Sequence, residues 1–323
     1  MKRLILTAAA LIVSATGIAT GVLAQTYPDK VVRMVVPFPA GGSYDVIARL
    51  IGAGLGERWG QQIVIDNKGG AAGEIGAAAV ATAAPDGYTL LLFGDGILIN
   101  QGLMKNRAFH PLKSFSPVTL VARSPQVLVA SQSLNVTSLT ELVARSKAGK
   151  LDLPFGTAGS GTPGHLAAEL LAAKSGLPLR HVPYRGGAPA LADLLGNHLG
   201  LVSTGLPALI GSIQSGSIIP LAVSSEKRST LLPNVPAMNE SVPGVFLDTW
   251  YGILAPAGLP DPIAQKIYTD VSAVMRAPEM STKLAEQGFE FVGGSPEELK
   301  GVMERDLPRW QEVIDLAGIK PGQ

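Results

Sequence analysis

Between Val31 and about Ser224, short β-branched runs alternate with longer Ala/Leu-rich stretches whose apolar positions recur at helical spacing. That rhythm predicts α/β layers, each a mainly parallel sheet flanked by helices. Val31 to Pro37 reads as the first strand. Ser43 to Trp59 then reads as a helix with Ser43 at its N-cap, Val46, Ile47, Leu50, Ile51 and Leu55 on the apolar face, and Gly60 just past its end. The same logic predicts strands at 63–66, 88–93, 118–121, 126–130, 153–156, 181–184, 199–203 and 221–224. Helices are predicted over 73–83, 139–147, 162–175, 189–195 and 206–215. Beyond Ser225 the texture changes to proline-rich loops, an aromatic strand at 249–255, and helices over 263–276 and 278–287. A last helix opens on the capping box Ser295-Pro296-Glu297-Glu298. The organisation expected is one domain from 25–124 plus 246–323, with 125–245 as the other. The chain then crosses between them twice, and a hinged cleft is where binding pockets collect.

Two glycine-rich turns stand out in this pattern. Phe38-Pro39-Ala40-Gly41-Gly42-Ser43, continuing into Tyr44 and Asp45, and Thr157-Ala158-Gly159-Ser160-Gly161-Thr162 each follow a strand and open a helix. A helix N-terminus carries unpaired N–H groups and the positive end of the macrodipole, so two of them facing one cleft hold a carboxylate without a charged side chain. In the second turn Thr162 is the expected N-cap, Pro163 suits the first helical position, and Gly176 ends the helix. Gly94, Asp95, Tyr184 and Thr204 complete the candidate ligand-binding set, each at or beside the C-terminal end of a predicted strand. Asp45 and Asp95 each have two roles open to them: stabilising a turn or helix end, which is favoured, or accepting a bond from a ligand's ammonium or hydroxyl.

The chain opens Met1-Lys2-Arg3, runs uncharged from Leu4 to Ala24, and then turns polar, with Val22 and Ala24 as the small residues before a cut. This is the pattern of a secretory signal peptide, residues 1–24, cleaved near Ala24. No later stretch has the length and apolarity of a membrane span. Removing Lys2 and Arg3 leaves 24 basic residues against the 25 acidic ones, so the mature chain is nearly neutral and shows no basic run. That excludes the electrostatic footprint of a nucleic-acid binder. Cysteine is absent, which removes disulfides, thiolate nucleophiles, thiolate metal sites and a lipid-anchoring cysteine, and fits a bacterial periplasm.

The chain resembles the periplasmic solute receptors of tripartite tricarboxylate transporters, the Bug proteins. The matching residues run through the mature length: Tyr27-Pro28-Asp29-Lys30, Val35 to Gly42 with Asp45, Ala48 and Arg49, Ala84-Pro85-Asp86-Gly87-Tyr88-Thr89-Leu90, and His165-Leu166 with Glu169. They continue in His181 to Gly186, Leu221-Ala222-Val223, Leu232 to Pro236, Trp250-Tyr251-Gly252 and Ala255 to Gly258. The resemblance implies a two-lobed, type II-like periplasmic-binding-protein fold that closes on a dicarboxylate, tricarboxylate, acidic amino acid or aromatic acid. It also implies delivery to a two-subunit membrane permease. The ligand is then held mostly by backbone amides and ordered waters from the turns at 39–43 and 157–162. No cofactor, metal or nucleic-acid partner is expected, and the receptor is expected to be a monomer. Three departures from the family pattern fall near the expected pocket: Tyr44 after Gly-Gly-Ser, Gly73-Glu74 in place of a second glycine with Asn, and Asn100-Gln101 in place of Asn-Pro.

Competing chemistry is weaker. Gly159-x-Gly161-x-x-Gly164 satisfies a dinucleotide pattern, yet no acidic residue stands about 20 residues on, and the phosphate-loop pattern fails where Thr162 replaces Lys. An exported hydrolase using Ser160 with His165 and Asp193 is the alternative from another class, although no G-x-S-x-G elbow surrounds Ser160. A third is a ligand-sensing receptor for a two-component system. His110, His181 and His198 show no metal-ligand spacing.

Overall fold

The computed structural model describes residues 27–149 and 153–320, so the expected signal peptide lies outside the described residues. Its strands, in chain order, are β1 (Val32–Val36), β2 (Ile63–Asn67), β3 (Thr89–Gly94), β4 (Phe115–Arg123), β5 (Gln126–Ser131) and β6 (Leu153–Thr157). They continue as β7 (Leu179–Pro183), β8 (Leu201–Gly205), β9 (Ile218–Val223), β10 (Trp250–Pro256) and β11 (Glu290–Gly294). The helices begin with α1 (Ser43–Trp59), α2 (Glu74–Ala81), α3 (Gly96–Leu103), α4 (Leu139–Lys147), α5 (Pro163–Ser175) and α6 (Gly187–Leu195). After these come α7 (Ile210–Gln214), α8 (Met238–Ser241), α9 (Asp261–Arg276), α10 (Pro278–Glu286) and α11 (Pro296–Leu316).

The described strands form two sheets, β11-β4-β10-β3-β1-β2 and β7-β6-β8-β5-β9. The α/β architecture is as the alternation predicts, but the sheets are mixed rather than mainly parallel. In the first, β1 pairs parallel with β2 and β3, while β10 runs antiparallel to both β3 and β4. In the second, β6 pairs parallel with β7 and β8, while β5 runs antiparallel to β8 and β9. The reason is the double crossing. β4 and β5 carry the chain out of the first sheet, and β9 and β10 bring it back alongside in the opposite direction, so β4 with β10 and β5 with β9 pair antiparallel.

Backbone and side-chain hydrogen bonds tie the two crossing segments together. Ser224 N–H donates to the Gln126 carbonyl at 2.8 Å, Gln126 Nε2 donates to Thr249 Oγ1 at 3.3 Å, and the Thr249 hydroxyl donates to the Ser124 carbonyl. The hydrophobic cores lie between these sheets and their helices. One side of β1, β3 and β10 packs Met34, Leu90, Leu92 and Ile253 against Ile47, Ile51 and Leu55 of α1 and Ile267 and Val271 of α9, all buried. Fully burying each such side chain stabilises the fold by roughly 1.5–3 kcal/mol.

Several helix ends follow the sequence. Ser138 and Ser295 accept from Glu141 N–H and Glu298 N–H, Thr162 is the N-cap of α5 with Pro163 first inside, and Gly60 and Gly176 end their helices in left-handed geometry. The helix predicted over 206–215 is instead a 3₁₀ turn at Leu206–Ala208 followed by α7 with Leu209 as its N-cap. Another departure is α1, whose N-cap is Gly42 and whose first helical residue is Ser43. Gly41 has φ +85°, a conformation that turns the chain into the helix one residue before a serine cap would, and that glycine tolerates. Three elements, α3, α8 and β11, have no counterpart in the predicted pattern.

Candidate functional site

The ends of β1, β6 and β8, together with the crossing segments, converge on one cleft. From the first glycine turn, Phe38, Pro39, Ala40, Gly42, Ser43 and Tyr44 line it; Asp95 lines it from the end of β3; and Ala158, Thr162 and Thr204 line it from the facing lobe. Gly41, Asp45, Gly94, Thr157, Gly159, Ser160, Gly161 and Tyr184 are not among its lining residues.

Several of these residues have identifiable structural work. Asp45, 4% exposed, receives the Gly41 N–H at 3.0 Å, both donors of Arg49 at 2.8 and 2.9 Å, and Asn67 Nδ2 at 3.1 Å. Burial acts to raise its pKa, and the Arg49, Gly41 and Asn67 bonds overcome this and hold the carboxyl below its usual range. Asp45 therefore locks the first turn, which is the structural one of its two roles. In the second turn, Thr157 Oγ1 accepts the Gly159 N–H at 3.1 Å and lies 2.7 Å from His181 Nε2. Tyr184 donates its hydroxyl to Asp193 at 2.6 Å.

The hydrolase arrangement does not form. His165 Nδ1 accepts the Gly161 N–H at 3.2 Å, its Nε2 stands 3.6 Å from Glu169, and its ring stacks on His181 at 3.9 Å. No ring nitrogen is left to take a proton from Ser160, and Asp193 is engaged by Tyr184 and His198 rather than by His165. Burial first, and then the neighbouring His165, pushes His181 down to about 3.

The two turns are not equivalent donors. At α1 the amides of Asp45 and Val46 return to the Gly42 carbonyl, and those of Ser43 and Tyr44 have no acceptor among the described residues. Both residues line the cleft, so the positive end of a 17-residue helix opens onto it. At α5 the first helical residue is Pro163, which has no N–H, so this helix presents fewer donors. No lysine or arginine lines the cleft among the described residues. Among them there is also no group of three side chains suited to a metal ion.

Aromatic rings shape the cleft. Phe38 and Tyr44 stack at 5.0 Å, Tyr44 meets Tyr251 at 4.9 Å, and Phe93 packs edge-on to Phe38 and Tyr44. Tyr44, the first departure from the family pattern, is thus part of the wall. Glu74 and Asn100 are not; they bind each other at 3.0 Å behind it, and Glu74 forms a two-pronged pair with Arg107 at 2.7 and 2.9 Å. Arg107 also donates to Gln101 Oε1 at 3.0 Å, so the departures at 74 and 101 belong to one Arg107-centred network rather than to the pocket.

Sequence reasoning missed Gln126, Pro163, Gly186, Gly187, Ala188, Pro189, Gly205, Thr249 and Tyr251 as lining residues. Gly186 to Pro189 repeat the grammar of the other turns, a strand followed by glycines and a helix start, and so were detectable. Gln126, Thr249 and Tyr251 reach the cleft because the crossing segments floor it, which no local pattern announces.

Comparison with known proteins agrees with this geometry. The model of the tripartite tricarboxylate transporter family receptor matches residues 47–319. Protein BugT of Bordetella pertussis is 34% identical over 311 residues, covering 95% of each chain. Among solved structures, R. palustris Rpa4515 with adipate has a TM-score of 0.88 at 37% identity, covering 91% of this chain and 99% of that one. MatC from Rhodopseudomonas palustris with bound malate has a TM-score of 0.83 at 29% identity, covering 89% of this chain and all of the other. Such agreement along nearly the full described length, with the glycine turns and crossing strands in place, establishes that the chain belongs to the tripartite tricarboxylate transporter receptor family.

Proposed function

We propose that the chain is an exported periplasmic receptor, cleaved near Ala24, that captures a small organic carboxylate and delivers it to a two-subunit membrane permease without covalent chemistry. Its lobes are residues 25–124 with 246–323, and 125–245, which close as a monomer on the ligand about the Ser124, Gln126, Ser224 and Thr249 crossings. The ligand class spans di- and tricarboxylates, acidic amino acids and aromatic acids. The adipate and malate bound by the two R. palustris relatives support the diacid end of that range.

The observation that carries this function is a cleft with an open helix N-terminus and no cationic side chain among the described lining residues. Its anion-binding capacity comes from the Ser43 and Tyr44 amides and the α1 dipole. Ser43 allows a clean test because it is the first helical residue and follows Gly42 at φ −85°, ψ 172°, a conformation that tolerates a following proline. Ser43→Pro deletes one amide while keeping the helix; Ser43→Ala deletes only the hydroxyl. Calorimetric titration with a panel of succinate, malate, adipate and citrate is expected to show about tenfold or greater loss in Ser43→Pro, a loss worth ~1.4 kcal/mol. Equal affinities in the two variants, with both melting like the parent, would refute amide capture.

A further inference from the structure

Asp95 remains unexplained by the carboxylate cleft. It sits at the N-cap of α3, yet its side chain makes no capping bond, it is 1% exposed, and neither carboxyl oxygen has a hydrogen-bond partner among the described residues. It lines the cleft that an anion is to enter. An ionised, unpartnered carboxylate buried in the anion site would repel the ligand and leave its own charge unsolvated.

We propose, building on the carboxylate-receptor function above, that Asp95 works as a neutral carboxylic acid and donates its O–H to a carboxylate oxygen of the bound ligand. Its surroundings favour that state. Tyr44 faces it from α1, Tyr251 from β10, Asp306 from α11 and Arg123 from the end of β4. Burial is the largest influence and raises Asp95 well above the usual carboxylate range, and the Asp306 charge adds to it. Arg123 and the amides of Asp95 and Trp250 oppose the shift, but neither amide reaches hydrogen-bond geometry with the carboxyl oxygens. Tyr44 and Tyr251 are themselves pushed up, by burial and by proximity to Asp95, so they remain donors and neutralise nothing.

The protonated acid supplies what the cleft otherwise lacks, a strong side-chain donor among helix amides and hydroxyls. A donor of this kind matches an anionic oxygen and mismatches a ligand ammonium, which would require Asp95 ionised. Asp95 is therefore a residue that selects plain acids over their aminated counterparts. Capture also becomes proton-linked: only the protonated receptor binds, so affinity falls about tenfold per pH unit above the Asp95 pKa of the free protein.

The test combines calorimetry with infrared difference spectroscopy on the full mature chain. Probes are malate, adipate and 2-aminoadipate, with Asp95→Asn and Asp95→Ala as variants. The parent complex with malate or adipate is expected to show the carbonyl stretch of a protonated carboxylic acid that disappears in Asp95→Asn. Asparagine, which keeps an N–H donor, should retain binding of whichever diacid the parent takes to within about tenfold, whereas alanine should lose more than that. The proposal is overturned if that band is missing from the complex, if Asp95→Ala binds like the parent, or if the parent prefers 2-aminoadipate to adipate and Asp95→Asn abolishes the preference. If no acid of the carboxylate panel binds the parent at all, the receptor function itself fails and this role with it. Binding that is indifferent to position 95 overturns only the role of Asp95.

Discussion

Replacing Asp45 removes the lock of the first glycine turn, and its effect follows from four contacts. The Asp45 carboxylate accepts from Gly41 N–H, from two Arg49 donors and from Asn67, whose Nδ2 also reaches the Phe38 carbonyl at 3.0 Å. Arg49 is 57% exposed, so its pair with Asp45 counts for little once screened and returns readily to water. The Gly41 and Asn67 donors are more enclosed, and a hydrogen bond to a charged group contributes about 1.5–3 kcal/mol. Asp45→Ala should therefore cost about 2–4 kcal/mol in all, lowering the melting temperature by roughly 5–10 °C for a chain of this size.

The pH dependence has a defined sign. Because the folded carboxyl is held below its usual range, Asp45 contributes stability above its unfolded value of about 3.9 and loses it as pH falls through the lower folded value. Urea melts of parent and variant between pH 7 and pH 3 should show the gap narrowing below about pH 4. Affinity for the ligand should fall in the same variant, because Ala40, Gly42 and Ser43 lose their register in the cleft wall. A variant that melts within about 1 °C of the parent, or a gap that does not close on acidification, would refute the lock.

Two further outcomes test the surroundings of the cleft. Arg107, with a side chain 4% exposed, is the partner of Glu74, so Arg107→Ala should cost about 3–5 kcal/mol by stranding a buried carboxylate; adding Glu74→Gln should recover part of it, as a double-mutant cycle by urea denaturation will show. His181 is held neutral, mainly by burial and then by His165, so its folded value of about 3 lies below the unfolded one of about 6.5. Its contribution is intact above about pH 6.5 and declines toward pH 3 by at most ~1.4 kcal/mol per unit, so parent stability should fall relative to His181→Asn over that window.

Much of the fold was legible because its helices and strands follow local rules. The first turn and α1, the Thr162-Pro163 start of α5, and the Ser295 capping box were each read within a few residues of their observed positions. The misses have physical causes. α3 has no polar face, since Ile97, Leu98, Ile99 and Asn100 are all buried, so it shows no amphipathic period. β11 is short and ends in Gly293-Gly294, whose composition signals a turn.

Within the candidate site, local pattern located the glycine turns but not which of their atoms meet the cleft. Ser160 and Gly159 resemble Ser43 and Gly42 in sequence, yet Gly42 and Ser43 line the cavity whereas the second turn reaches it through Ala158 and Thr162.

By itself, the sequence determined the alternation of helix and strand, the near-neutral and cysteine-free composition, and the glycine turns that leave helix amides without acceptors. These depend on backbone conformation and on residues a few positions apart. Only the tertiary structure decided that β10 enters the first sheet antiparallel, that Gln126, Thr249 and Tyr251 floor the cleft, and that Asp95 lies buried there without a hydrogen-bond partner among the described residues. Those features join residues more than a hundred positions apart, and burial and electrostatics act on distance in space, whatever the separation along the chain.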